Sequence, residues 1–362
     1  MIYLVIAVLG LVFGILLFFK TPYVPIINPK QALPTLSIII PARNEAKNIG
    51  QLLSLITSEK PVFTEIIVVD DDSTDDTFLI ASNYPVKVLR AIDKPKDWLG
   101  KTWACFLGAQ NAIGEQLLFL DADVRITSKE INKLLCASTV CPIFSVGPYH
   151  YTKKFHEQFS FYFNAVGLAA NGFMLPFSYK KVGMFGPAIM IPKSVYFEIG
   201  GHEQVKSSII EDVAFGKNLV KHHYDYQLYL GTSELSYQMY AHRFSDLYHG
   251  WIKNFASGAL KTSLLMLVFT IIWVSVGFAV LIHIPLSFIN QEWLLFIGWS
   301  MVLIGYLGEL IIIANKIGKF KWYTIALYPL FLLFFFLIFI ISLVYKLFNL
   351  PVKWKDRKIK SR

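Results

Sequence analysis

The chain has 362 residues, of which 55% are hydrophobic and 16% charged; an average soluble domain carries about 25% charged residues, so a wholly soluble protein is not expected. The apolar excess sits at residues 2–19 and in roughly the last hundred residues, which predicts a membrane protein with a soluble insert. The net charge is +9, yet residues 346–362 hold seven Lys/Arg against one Asp, and a basic tail behind an apolar run meets lipid headgroups rather than nucleic acid.

Residues 1–19 are almost wholly apolar and run into Lys20, with no basic region before them and no small-x-small cleavage site after. Residues 1–20 are therefore expected to be an uncleaved anchor rather than a signal peptide. Pro22, Pro25, Pro29 and Pro34 stiffen residues 21–35 into an extended linker. Residues 36–40 (LSIII) predict a buried strand that ends in PARNE at 41–45, and residues 48–56 the helix after it. Residues 65–69 (EIIVV) predict a second strand ending in DDDSTD at 70–75, where Asp72, Ser73 or Thr74 is expected to cap the next helix. Residues 86–89 read as a short third strand and 98–112 as a helix. Strands and helices that alternate, with polar clusters at strand ends, predict a doubly wound α/β nucleotide-binding half-domain. Cys105, Cys136 and Cys141 form no CxxC and no even set, so reduced, partly buried thiols on the cytoplasmic side are expected.

The stretch 116–124, QLLFLDADV, is a strand buried on both faces that runs into two carboxylates. Alternate residues of an extended chain point the same way, so Asp121 and Asp123 can both reach one hard cation. Two carboxylates plus substrate phosphates suit Mg2+ or Mn2+. An isolated DxD also fits a solvated acidic turn. Residues 155–177 are rich in Phe, Tyr, Leu and Gly but too broken for a span. They read as an amphipathic helix at the membrane interface, the wall of a cleft, or a core helix. Residues 184–191 predict another buried strand, 200–203 a turn, and 208–217 a helix that carries Glu211 and Asp212 at its start. Residues 242–259 have amphipathic spacing through Phe244, Leu247, Tyr248, Trp251 and Phe255.

Three apolar runs follow at 264–284, 293–313 and 322–345, each about 20 residues, the length that crosses about 30 Å of hydrocarbon. Residues 261–348 are thus expected to hold about three transmembrane helices, with Trp293, Trp322 and Tyr323 at their ends and a basic tail at 349–362. Glu309, inside the second run, marks either a polar contact in the bundle or a boundary. Three full spans carry the tail to the side opposite the insert, whereas the positive-inside rule puts residues 316–321 and the tail with the insert. Either a re-entrant run or an exceptional tail resolves the conflict.

PARNE at 41–45, VVDDDSTD at 68–75, FLDADV at 119–124 and IED at 210–212, in this order, resemble the family 2 glycosyltransferases of the GT-A fold across residues 36–258. The resemblance implies a GT-A doubly wound nucleotide-sugar domain at residues 36–260 flanked by transmembrane helices, a UDP-sugar donor, and Mg2+ or Mn2+. It implies that Pro41, Glu45 and Asp71 line the uridine and ribose pocket, with Asp70 beside them or turned into the core. Asp123 would bind the metal, and Asp121 would hold ribose or assist the metal. The cation would neutralise the departing diphosphate. Lys101, in LGKT at 99–102, resembles the family's basic segment beside the donor, or is an exposed helix lysine. Asp212 stands where the family keeps its catalytic base, with Glu211 beside it at the substrate; without the resemblance the two are a helix-start acidic pair. His202, in GHE at 201–203, touches the acceptor or only turns the chain.

Processive members carry Gln-x-x-Arg-Trp after the base. Here residues 238–244 read QMYAHRF, which favours single sugar transfer over polymer synthesis. Segments 97–112, 185–203 and 248–259 resemble a membrane subgroup that includes the glycosyltransferases of bacterial carotenoid pathways, which glucosylate 4,4'-diaponeurosporenoate, and hopanoid-associated relatives. This implies transfer of glucose to a membrane-embedded lipid or carotenoid acceptor by a multi-pass protein of the cell membrane with a cytoplasmic catalytic domain. Transfer to polyprenyl phosphate or diacylglycerol is the alternative. The intact Asp70, Asp71, Asp121, Asp123 and Asp212 argue against a transporter or scaffold with a dead nucleotide fold.

Overall fold

The computed structural model describes residues 1–362 except 59–62, 148, 209, 242, 260–261, 349, 355–356 and 361–362; side chains of 253–261 and 351–362 are not described. His242, Phe255 and the side chains of most of the basic tail therefore lie outside the described residues. The chain begins with α1 (Ile2–Leu17), followed by β1 (Leu36–Ala42), α2 (Ile49–Thr57), β2 (Glu65–Asp70), α3 (Thr77–Ser82), β3 (Lys87–Arg90), α4 (Gly100–Gln110), β4 (Gln116–Leu120), β5 (Val124–Ile126) and α5 (Ser128–Ser138). Next come β6 (Phe144–Gly147), β7 (Tyr149–His150), a 3-10 turn at His156–Ser160, α6 (Phe161–Asn171), β8 (Ala188–Pro192), α7 (Lys193–Glu198), α8 (Glu211–Lys221), β9 (Gln227–Leu230) and β10 (Leu235–Tyr237). The remainder is α9 (Phe244–Ala259), α10 (Leu264–Ile289), α11 (Trp293–Ile317), α12 (Trp322–Ala326), α13 (Tyr328–Leu347), β11 (Pro351–Trp354) and β12 (Arg357–Lys360).

The chain divides into two compact units. One, residues 22–149 and 183–238, is built on a seven-stranded sheet of order β3-β2-β1-β4-β8-β6-β9. β1 pairs parallel with β2 and β4, and β2 with β3. β8 runs against both β4 and β6, a direction that its apolar run does not encode. Ile38 and Ile40 of β1 pack with Leu52, Leu53 and Ile56 of α2 and Leu134 and Leu135 of α5. The alternate residue Ile39 meets α4 on the other face, where a side-chain carbon on Gly108 would lie 2.5 Å from Ile39 Cγ2. Both faces of the strand are covered, so its sequence has no polar alternation. Each fully buried Leu or Ile of this kind contributes about 1.5–3 kcal/mol over its exposed state.

The cap expected from Asp72, Ser73 or Thr74 falls elsewhere. α3 starts at Thr77, and Asp75 Oδ1 accepts from the Thr77 N–H at 3.1 Å. Residues 73 and 74 are engaged by the preceding loop instead: Ser73 Oγ accepts from the Asn44 N–H at 3.0 Å, and the Thr74 N–H donates to Asn44 Oδ1 at 2.9 Å.

The second unit comprises residues 1–21, 150–182 and 239–362. Its α10, α11 and α13 are long and apolar enough to cross a membrane. The third apolar run is interrupted at Leu327, and α13 begins with Pro in its first turn. α1 runs antiparallel to α10: Tyr3 stacks on His283 at 5.4 Å and Phe13 on Phe269 at 4.2 Å. A side-chain carbon on Gly14 would lie 2.3 Å from Glu309 Oε2, so the missing side chain is what lets α1 and α11 close up. Trp273 Nε1–H donates to Glu309 Oε2 at 3.0 Å, which makes Glu309 a polar contact within the bundle. Within residues 155–177, read as an interfacial helix, a cleft wall or a core helix, the 3-10 turn runs into α6, which stops at Gly172 with φ 68°.

Candidate active site

Strand register decides what meets at the carboxyl edge of the sheet. Ala42 of β1 stands opposite Asp70 of β2, and Ile39 opposite Phe119 of β4. The reversed β8 puts Ala188 opposite Leu120, and the Asp121 N–H donates to the Pro187 carbonyl at 3.0 Å. The ends of β1, β2 and β4 and the start of β8 thus line one crevice, the position where open α/β sheets take ligands.

The first two loops are tied together by Arg43. Its Nη1 donates to the carbonyls of Asp71 and Asp72, and lies 3.9 Å from Asp71 Oδ2. The Glu45 N–H donates to Thr77 Oγ1 at 2.7 Å, and Glu45 Oε2 accepts from Asn48 at 2.7 Å. Asp70 is only 4% exposed. Its Oδ2 accepts from the Ser73 N–H at 3.3 Å, while Oδ1 is buried and meets no donor among the described residues. Asp71 is buried against the first residue of α4, where a side-chain carbon on Gly100 would lie 1.8 Å from Asp71 Oδ2. Gly100→Ala is therefore expected to displace the Asp71 carboxylate and to destabilise the fold by about 1–3 kcal/mol, the usual cost of overpacking. Thermal unfolding checks this; an unchanged midpoint means the Asp71 side chain swings aside freely.

Lys101, the next residue of α4, is the hub of the crevice. Its Nζ is 2.7 Å from Asp121 Oδ1 and 2.8 Å from Glu211 Oε1. Burial pulls this ammonium down, but the two carboxylates outweigh it and hold Lys101 well above its ordinary range, so it stays charged. Burial, with Glu211 and Glu45 nearby, pushes the Asp121 carboxyl up against the downward pull of Lys101. Asp212 sits in the first turn of α8. Its Oδ2 accepts from the Gly186 N–H at 3.0 Å and its Oδ1 from the Val213 N–H at 2.8 Å. Burial first, then the neighbouring Glu211, push its carboxyl up to about 6. His202 is buried among Phe119, Tyr196 and Phe215, with Nδ1 at 3.0 Å from the Tyr196 hydroxyl. Burial lowers its pKa to about 3, so the ring is neutral.

Pro41, Lys101, Asp121, His202 and Glu211 line one small cavity of about 10 Å³, room for about one water. Asp212 adjoins it through Gly186, which also lines the cavity, and Asp71 adjoins it through Gly100. Glu45, on the loop after β1, and Asp70, the last residue of β2, stand at the same edge. Asp123 is half-buried on the turn between β4 and β5, two residues past Asp121. Among the described residues no group of three or more His, Cys, Asp or Glu side chains could hold a metal by itself. Asp121 and Asp123 nevertheless offer hard carboxylate oxygens, a donor set that fits Mg2+ or Mn2+ when phosphate oxygens complete the shell.

The sequence reading gave no role to Arg43, Gly100, Gly186 or Tyr196. Arg43 was within reach, as the one cation in PARNE beside a run of aspartates. Gly100 and Gly186 act by leaving room or lending a backbone N–H, and no side-chain pattern announces that.

Residues 37–159 match the family model for Glycosyl transferase family 2. Over 332 residues the chain is 31% identical to the 4,4'-diaponeurosporenoate glycosyltransferase of Staphylococcus aureus (strain MRSA252), covering 89% of this chain and 88% of that one. The chain belongs to glycosyl transferase family 2. The corresponding protein of the USA300 strain is 30% identical over 331 residues, again 89% of this chain and 88% of that one. Among solved structures, this family 2 glycosyltransferase resembles the mannosyltransferase PcManGT from Pyrobaculum calidifontis in complex with GDP-Man and Mn2+. The TM-score is 0.52 at 14% identity, over 96% of this chain and 99% of that one. The fold is GT-A, with three helices long and apolar enough to span a membrane, and the protein is a transferase enzyme.

Proposed function

We propose that this glycosyltransferase is inverting and moves a single glucose from a UDP-sugar to a membrane-embedded lipid acceptor, a carotenoid carboxylate such as 4,4'-diaponeurosporenoate. The observation that carries the reading is the Lys101 bridge, 2.7 Å from Asp121 and 2.8 Å from Glu211, with Asp212 next to Glu211 in sequence. It joins the carboxylate at the end of β4 to the acidic pair at the start of α8. The acceptor is suggested by the names of relatives that match nearly the whole chain.

Pro41, Glu45, Asp70 and Asp71 line the nucleoside side of the crevice in this reading. Asp123, with Asp121, would hold Mg2+ or Mn2+, which supplies Lewis-acid neutralisation of the leaving diphosphate. Lys101 keeps its charge between two carboxylates, so it offers a fixed cation beside the diphosphate and orients Asp121 and Glu211. The acceptor oxygen attacks the anomeric carbon from the face opposite UDP, the bond to the diphosphate breaks, and the configuration inverts. With a hydroxyl acceptor, Asp212 takes the proton; its two N–H partners fix both oxygens, and its pKa near 6 suits a base at neutral pH. With a carboxylate acceptor there is no proton to take, and Asp212 orients the acceptor. His202, buried and neutral, shapes the floor of the crevice. Residues 36–260 carry this chemistry, and the apolar helices hold it at the cell membrane with the catalytic part in the cytoplasm.

The test is product analysis. Membranes that contain the chain, given UDP-glucose and 4,4'-diaponeurosporenoate, are expected to yield a glucosyl ester by mass spectrometry. A hexosyl diacylglycerol or hexosyl polyprenyl phosphate, with no ester, moves the acceptor to the alternative class. No hexose in any lipid removes the reading.

A further inference from the structure

We propose that α13 does not cross the bilayer. It runs level with the middle of α10 for its first turns and then rises to the near face of the bundle, where α10 begins, exposes an apolar stripe to the acyl chains of that leaflet, and delivers the basic tail to the headgroups of the same leaflet.

The near face of the bundle is where α1 ends and α10 begins, since Phe13, near the end of α1, stacks on Phe269, five residues past Leu264, at 4.2 Å. α11 also ends there, because Lys316 Nζ donates to the Phe18 carbonyl at 2.6 Å. α9 lies on the near side by chain order, as it closes at Ala259 and α10 opens at Leu264. α13 starts deep. Its Tyr328 hydroxyl donates to the Gly277 carbonyl at 3.3 Å, and its Tyr328 ring lies 5.6 Å from that of Tyr306. Gly277 is 13 residues past Leu264, about 20 Å along α10 at 1.5 Å per residue.

The next two turns of α13 stay at this level: a side-chain carbon on Gly277 would lie 2.7 Å from Leu332 Cδ2, and Phe336 meets Phe278 at 5.6 Å. Phe331 meets Phe159 at 4.8 Å, and Phe334 meets Phe159 at 4.6 Å and Phe244, the first residue of α9, at 5.6 Å. Ser342 Oγ then donates to the Ile252 carbonyl in the middle of α9 at 2.7 Å, and β11 packs on α9 beyond it. Phe336, level with Phe278, to Leu347 is 11 residues, about 17 Å of helix, comparable with the distance from Phe278 back to the start of α10. A spanning helix would end on the far side of about 30 Å of hydrocarbon, out of reach of α9.

The partner on the open side is lipid. Leu330, Leu333, Leu337, Ile340, Val344 and Leu347 are exposed and recur at three- and four-residue spacing along one stripe. α10 and α11 likewise expose large apolar side chains, among them Ile271, Ile282, Ile297 and Ile304. This path also keeps Lys316, Lys319, Lys321 and the tail on one side, as the positive-inside rule requires.

Impermeant maleimide labelling of the full chain in sealed vesicles, in a Cys141→Ser background, tests the proposal. Ser361→Cys is expected to label from the same side as Lys96→Cys and from the side opposite to Asn290→Cys, in the α10–α11 turn. Labelling of Ser361→Cys together with Asn290→Cys overturns it. Nitroxides at Leu333, Leu337 and Val344 give an independent reading: Val344 is expected to lie nearest the near surface, and a depth that moves steadily toward the far surface from Leu333 to Val344 refutes the path.

Discussion

Asp123→Ala is expected to abolish the response of UDP binding to Mn2+ and to lower transfer at least a hundredfold, about 3 kcal/mol, the scale of a Lewis-acid contribution. Asp121 cannot stand in for it. Asp121 Oδ1 is already 2.7 Å from Lys101 Nζ, in a crevice where Glu211 shares the same ammonium. Its loss would therefore both remove a ligand and leave Lys101 to Glu211 alone, and Asp121→Asn is expected to combine a metal defect with a shifted Lys101. Asp123 stands on the turn beyond, outside the ion pairs of Lys101 with Asp121 and Glu211, so its removal probes the cation without breaking them. Calorimetry with UDP, with and without Mn2+, reads the effect directly. A variant whose UDP affinity still rises with Mn2+ as in the parent would show that the cation is held elsewhere.

The sequence made the α/β half-domain legible where burial erases polar alternation. LSIII and QLLFL are covered on both faces, as strands are in a sheet with helices on each side. The family was legible for a related reason: the acidic motifs stand at the strand ends and the helix start where a ligand must sit. Other features were not legible because they depend on register and packing rather than on residue type. The direction of β8, which brings the Gly186 N–H to Asp212, is set by a pairing with β4 that its own sequence does not state. His202 reads as an acceptor contact or a turn residue in GHE, and the sequence does not show that Phe119, Tyr196 and Phe215 enclose it. Hydropathy finds the third apolar run by its composition, and the helix there is long and apolar enough to cross a membrane. The break at Leu327 and the contact of Ser342 with Ile252 are properties of packing.

Asp212→Asn should divide acceptors by their chemistry. With a hydroxyl acceptor the base must remove a proton, and its loss is expected to lower the rate by about 10²–10⁴-fold while UDP-glucose binding persists. With a carboxylate acceptor the nucleophile is already ionised, so the same variant is expected to keep most of its activity. The pH profile carries the same distinction. Burial and Glu211 raise Asp212 to about 6, and only its deprotonated form is a base. Transfer to a hydroxyl should therefore rise through pH 6 and level off above it, a step that Asp212→Asn removes. Transfer to a carotenoid carboxylate should lack the step that belongs to Asp212 in both proteins. Asparagine keeps the size of the side chain and an oxygen to accept from Gly186, so a fall in rate reflects the lost charge rather than a collapsed loop. Equal rates on a hydroxyl acceptor for parent and variant at pH 7 would take Asp212 out of the base role.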